Sequence, residues 1–342
     1  MKWDLFILAF LFISQVIAIS IPQTVFRIPE EIESKKHKKG KKVFTKYKSI
    51  DSYFKQLKES TDDSNFSIID DFGLEDQHTW NDVIEEVQRL NNKHGHKKQY
   101  KLFFLARHGE AWHNVAEEYY SSKEWNCEWQ MKDGNGTIEW FDAKLTSTGE
   151  GQIERLSKAW DSQIHHNNAP IPQLYYISPL TRTLQTFELT WSNLINIYDS
   201  KPKVVELARE TYGIGTESKR HNASYIDFNF PFVKFDTGFT FNDDLWIPDK
   251  HESHQHRNYR AHLLLNEIFK KDDNTVISIT SHSGLISSIL KVIGHRKWEL
   301  KTGQMVPVII EGSKPGHYRK PTLDRPWNDL KECKDSSNEY VL

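Results

Sequence analysis

The sequence predicts an α/β fold, a three-layer α/β/α sandwich on a mostly parallel central sheet, with a helical and loop N-terminal extension and lid insertions. Three observations carry this expectation. From Lys101 onward, short apolar runs alternate with amphipathic helical segments, so strand and helix are expected in turn. The 342 residues, 37% hydrophobic and 13% aromatic, can bury a sizeable core, which excludes a disordered chain. Residues able to do chemistry stand where the apolar runs end, and open α/β sheets build their sites at those ends.

The chain opens with Lys2, an apolar run from Leu5 to Ala18, then Ile19 and Ser20. This is the form of a signal peptide, with cuts allowed after Ala18 or Ser20. The run is short for a membrane span, which needs about 20 residues. The C-terminal SSNEYVL lacks the hydrophobic tail of a lipid-anchor signal. A secreted protein is expected, with no stable membrane insertion once the signal is removed. In such a chain Asn65, Asn135 and Asn222 fit the glycosylation pattern, and Cys127 and Cys333 can form a disulfide, although sequence does not show that they meet.

The stretch from Lys35 to Lys42 is dominated by lysine and reads as a solvated arm. From Phe44 to His96 short helices and loops are expected, with Ser67–Phe72 (SIIDDF) the only strand-like piece. The expected organisation is therefore a signal at 1–20, a basic arm and extension at 21–99 packing on the core, and the main domain at 100–342. Strands are expected at Lys101–Ala106, Leu174–Ile177, Lys203–Leu207, Thr275–Thr280 and Met305–Ile310. Helices are expected at Thr146–His165, opened by a Ser147/Glu150 capping box, and at Leu180–Leu194, Asn258–Lys271 and Gly284–Ile293. Lys+Arg 45 against Asp+Glu 47 gives a formal charge of −2, without the basic surface that a nucleic-acid partner requires.

Three strand ends carry the chemistry. The first runs into Arg107-His108-Gly109-Glu110, the second into Ser178-Pro179-Leu180-Thr181-Arg182, and the fourth into Ser281-His282-Ser283-Gly284. If these strands are neighbours, two arginines and two histidines converge, a set that suits a phosphoryl group. Arginine presents a planar, permanently charged fork that matches phosphate oxygens. Gly109 is expected to let backbone N–H groups approach the same anion at a helix start. Unequal surroundings can set one imidazole as nucleophile and the other as cation.

The run from Arg107 to Asn114 resembles the signature of the histidine phosphatase superfamily, in its phosphoglycerate mutase-like branch. Leu145-Thr146-Ser-Thr-Gly149-Glu-Gly-Gln152, Ser178 to Thr186 and Ser281 to Gly284 resemble its later motifs, in the family's order from about residue 100 to 312. The resemblance implies that His108 becomes transiently phosphorylated, while Arg107, Arg182, His282 and Asn114 hold the phosphoryl oxygens. It also implies an acidic proton donor, for which Glu210 is the choice and Glu206 and Glu217 are competitors. No cofactor or metal is implied.

His251, His254 and His256 read as a polar loop more than a metal site. Trp125, Trp129, Trp140 and Phe141 fall where the family often places a loop over the pocket, and packing is their expected role. The activity expected is hydrolysis of a small-molecule phosphate monoester, with a mutase or a catalytically silent binding protein as alternatives. If His282 must be protonated while His108 is neutral, activity peaks below neutral pH.

Overall fold

The computed structural model describes residues 46–69, 71–271, 273–314 and 327–328. The expected signal peptide, the lysine arm and Cys333 lie outside them. The strands are β1 (Lys46–Ile50), β2 (Lys98–Arg107), β3 (Leu174–Ile177), β4 (Lys203–Val204), β5 (Lys234–Phe235), β6 (His251–Glu252), β7 (Val276–Ser281), β8 (Met305–Ser313) and β9 (Trp327–Asn328). The helices are α1 (Trp80–His94), α2 (Trp112–Tyr119), α3 (Ser122–Cys127), α4 (Ser147–Asn167), α5 (Thr181–Trp191), α6 (Ile197–Ser200), α7 (Ala223–Asn229), α8 (His254–Lys271) and α9 (Ser283–Val292).

Seven strands form one sheet in the order β1-β8-β2-β7-β3-β4-β5. The pairings β2 with β7, β7 with β3, β3 with β4 and β4 with β5 are parallel. Strand β8 is antiparallel to both β2 and β1, so the expected strand at Met305 closes one side of the sheet in reverse. Central β2 is buried on both faces, which is why it reads as an unbroken apolar run. Leu102 and Phe104 pack with Trp80, Leu156, Trp160 and Phe187 from α1, α4 and α5. Phe103 and Leu105 pack with Leu264, Leu265, Ile286 and Ile289 from α8 and α9. Alternation along one strand thus builds two helical layers around one sheet, the expected three-layer sandwich.

The structure differs from expectation at four places. The strand of the N-terminal extension is Lys46–Ile50, which pairs with the edge of β8. Ser67–Phe72 is not a strand: Asp71 and Phe72 take φ of 50 and 56 in a 3-10 turn, driving the Phe72 ring edge-on against Trp160 at 4.7 Å. The strand expected at Lys203–Leu207 stops at Val204 and gives way to a 3-10 turn at Glu206–Ala208. Helix α4 is capped by Thr146, whose hydroxyl accepts the Gly149 N–H at 3.0 Å, and not by a Ser147/Glu150 box.

The histidine-rich segment is likewise no polar loop. His251 belongs to β6, and α8 begins at His254, four residues before its expected start. His256, in the first turn of α8, is buried and paired at 2.6 Å with Glu252 of the preceding β6. Among the described residues no helix is long and apolar enough to cross a membrane.

Candidate active site

Strands β2, β7 and β3 are neighbours, so their C-terminal ends bring three of the expected segments together. The His108 N–H donates to the Ser281 carbonyl at 3.1 Å, and the Ser178 N–H to the Thr280 carbonyl at 3.0 Å, extending the sheet register into the loops. A cavity of about 430 Å³ opens at this rim, lined by Arg107, His108, Asn114, Arg182, Glu210 and Gly284 among others. His282 lies fully buried behind it, its ring centroid 5.1 Å from that of His108.

The hydrogen bonds of His108 define its reactive atom. Its Nδ1 lies 2.7 Å from the Gly109 carbonyl oxygen, which can only accept, so Nδ1 carries the proton and Nε2 the lone pair. Burial, with Arg182 and Arg107 alongside, holds this imidazole well below its ordinary value of 6.5. The ring is therefore neutral, with its lone pair on Nε2. Arg182 donates Nη1 to the Glu217 carbonyl at 2.7 Å, leaving Nε and Nη2 buried without partners. Arg107 donates Nη1 to the Leu300 carbonyl at 2.8 Å and likewise keeps an unpartnered Nε. Buried donors without acceptors are rare in folded proteins, and both arginines line the cavity.

His282 departs from expectation. Its Nε2 lies 2.8 Å from the Ser178 hydroxyl and its Nδ1 has no partner. Burial, reinforced by Arg182 and the neighbouring imidazoles, holds it well below 6.5, which opposes the protonated state that the conditional acid optimum requires. Two arginines already supply the positive charge, and a third cation beside them is electrostatically opposed.

Gly109 also does a different job from the one expected. Its N–H donates to the Thr186 hydroxyl at 3.2 Å, and a Cβ placed there would stand 2.6 Å from the Gly149 carbonyl oxygen. The bare backbone serves close packing of the first loop against α4. Other motif residues are buttresses: Thr146 donates its hydroxyl to Glu110 at 2.6 Å, Gln152 accepts the Glu110 N–H at 2.8 Å, and Gln185 accepts the Leu145 N–H at 2.9 Å.

The three candidate proton donors separate cleanly. Glu206 does not line the cavity; Arg220 at 2.7 Å and Arg209 at 3.3 Å hold it in a buried ion network. Glu210 lines the cavity, its Oε2 3.9 Å from His282 Nδ1. Glu217 lines it too, and burial pushes its carboxyl up to about 7.

A family model described as the histidine phosphatase superfamily, branch 1, matches residues 103–307. The chain belongs to this superfamily. A phosphomutase-like protein 3 from Candida albicans is 41% identical over 266 residues, covering 78% of this chain and 80% of that one. A probable phosphoglycerate mutase from Arthroderma benhamiae is 39% identical, covering 77% and 84%. A probable phosphoglycerate mutase from Saccharomyces cerevisiae is 30% identical, covering 68% and 84%.

In this member of the superfamily the cavity is also lined by groups that sequence reasoning passed over, His113, Glu117 and Arg257, and by His251, which it read as part of a polar loop. His113 stood inside the first motif, and that position was the only signal the sequence offered. Arg257 donates to the Thr211 hydroxyl at 2.6 Å and to Ser288 at 3.2 Å. Trp125 combines both expected roles, packing on Trp140 at 5.5 Å while lining the cavity. Asn65, Asn135 and Asn222 are exposed; Asn222 also caps α7 by accepting the Tyr225 N–H at 2.9 Å. Cys127 is disulfide-bonded.

Proposed function

We propose that this chain is a phosphomonoesterase that works through a phosphohistidine on His108. One observation carries the reading. The tautomer of His108 aims a lone pair on Nε2 into a cavity where Arg107 and Arg182 hold unpartnered donors. The phosphoryl group binds among Arg107, Arg182, His282 and Asn114. Nε2 attacks phosphorus, the ester P–O bond breaks, and Glu210 gives the departing oxygen its proton. Water then attacks the phosphohistidine, Glu210 takes up its proton, and phosphate leaves with His108 restored.

His108→Ala should abolish phosphate release from p-nitrophenyl phosphate while circular dichroism stays unchanged; full turnover in the folded variant would falsify the mechanism. The relatives' names favour a second reading, in which the phosphoryl group returns to a hydroxyl of the bound sugar acid. Incubation with phosphoglycerate separates them, since hydrolysis yields free phosphate and a mutase yields the isomer.

The reading extends to location. Residues 1–20 have the form of a cleaved signal, and three exposed asparagines stand in glycosylation sequences. The mature protein is a secreted glycoprotein with an extension, 21–99, and a phosphatase domain, 100–342, and the pairing of Lys46–Ile50 with β8 supports that division. Protein collected from the culture medium is expected to begin after Ala18 or Ser20 and to lose mass on glycosidase treatment; retention of residue 2 in the cell-associated protein overturns this.

A further inference from the structure

Two imidazoles of the cavity, His113 and His251, have no role in the steps above, and His113 is the one whose ring neighbours His108. His113 lies in the first turn of α2, 6% exposed, with its ring centroid 5.5 Å from that of His108. It lines the same cavity as Arg107 and Arg182.

Its protonation is fixed by its neighbour. The Ala111 N–H donates to Asn114 Oδ1 at 3.1 Å, which commits the amide oxygen and turns the amide nitrogen toward the ring. That nitrogen lies 3.1 Å from His113 Nε2. An amide nitrogen only donates, so Nε2 accepts, and the proton of the neutral ring sits on Nδ1. Burial, then Arg182, His108 and Arg107, keep the ring neutral. Nδ1 is itself buried and without a partner. A buried N–H with no acceptor is a loss to the fold unless something brings one. In the same cavity the unpartnered groups of Arg107 and Arg182 are donors as well, and Glu217 Oε2, itself unpartnered, makes no hydrogen bond to Nδ1, so an acceptor carried in by a ligand is what this set of donors suits.

We propose that His113 is a further catalytic residue, its neutral Nδ1–H donating to a non-bridging oxygen of the phosphoryl group at His108. The proposal rests on the phosphate-ester reading. His113 forms no bond to phosphorus and keeps its proton in both steps. Asn114 is then in part a positioning residue, since its amide selects the tautomer.

The test uses the full chain and two readouts, inhibition by orthovanadate, an analogue of the five-coordinate phosphorus, and kcat/KM for p-nitrophenyl phosphate. His113→Phe removes both nitrogens at similar volume, His113→Gln places an N–H near Nε2, and His113→Asn places one near Nδ1. The phenylalanine and glutamine variants are expected to lose ten- to a hundred-fold in vanadate affinity and in kcat/KM, and the asparagine variant to regain most of both. If the phenylalanine variant fails to fold, the glutamine variant replaces it. Equal losses in the asparagine and glutamine variants, or wild-type behaviour in all three, overturn the proposal. A wild-type chain that neither releases phosphate nor binds vanadate instead overturns the phosphate-ester reading beneath it.

Discussion

Glu117 and Glu217 face the cavity, and both carboxyls are pushed up to about 7. Burial is the first cause for each; Glu117 adds repulsion at Glu217, while Arg182 works against the shift at Glu117. Below pH 7 these groups are neutral and leave the arginines unopposed. Above it each adds a negative charge to a wall that must receive an anion. The value of kcat/KM for a phosphate monoester should therefore fall as pH rises through about 7, and Glu217→Gln should flatten that fall. The acid preference expected from His282 is thus retained as a prediction, with carboxyls as its cause. A pH profile that Glu217→Gln leaves unmoved sinks this assignment. Stability follows the same sign. The folded-state value of about 7 stands above the ordinary 4.5, so Glu217 contributes fully below pH 4.5 and its contribution is lost as pH rises through 7. At pH 8 Glu217→Gln should stabilise the fold by on the order of 2 kcal/mol. Arg107, His108, Arg182 and His282 were legible in the sequence because each stands within a few residues of the end of an apolar run. His113, Glu117 and Arg257 were not, because they sit on helices whose facing is settled only by the order of the strands. The charge state of His282 depends on burial beside Arg182, which no local pattern encodes.

Between elements, the four motifs act as one interlocked unit. Helix α4 presses on the loop after β2 so closely that a Cβ at Gly149 would stand 2.0 Å from the Glu110 carbonyl oxygen. That atom is backbone and cannot swing aside. Gly149→Ala should therefore cost about 1–3 kcal/mol, the usual cost of overpacking, and lower kcat/KM by displacing His108. Thermal melts and p-nitrophenyl phosphate assays on the same sample read both effects; an unchanged melting temperature counts against the close packing. A second clamp holds Glu210. The buried Arg260 of α8 donates to the carbonyls of Leu207 at 3.0 Å, Arg209 at 2.7 Å and Glu210 at 2.8 Å. Glu252 at 2.7 Å pairs with its charge. The sequence showed Glu210 just past a strand, yet neither this clamp nor the early end of that strand is visible there. Both arise because the carbonyls of Leu207, Arg209 and Glu210 find a guanidinium, and that of Ala208 the Ser281 hydroxyl, and not another strand as their partner.

Across the whole molecule, the parallel part of the sheet was the most readable feature, since β2 and β7 are buried on both faces and need helices on each side. Antiparallel closure was not readable, because β8 carries the same apolar composition as its parallel neighbours and its direction depends on how the chain returns. The extension was misjudged for a related reason. Lys46–Ile50 reads KYKSI, a polar and apolar alternation suited to a sheet edge, and it gains its meaning only from the strand beside it. That pairing has a consequence in time. Lys46 lies opposite Ser313, and among the described residues β1 pairs with β8 alone, so this early strand must wait for the last strand of the sheet before it has a pairing partner. Closing so long a loop is slow, and a growing chain would hold β1 unpaired until nearly all of the protein has emerged.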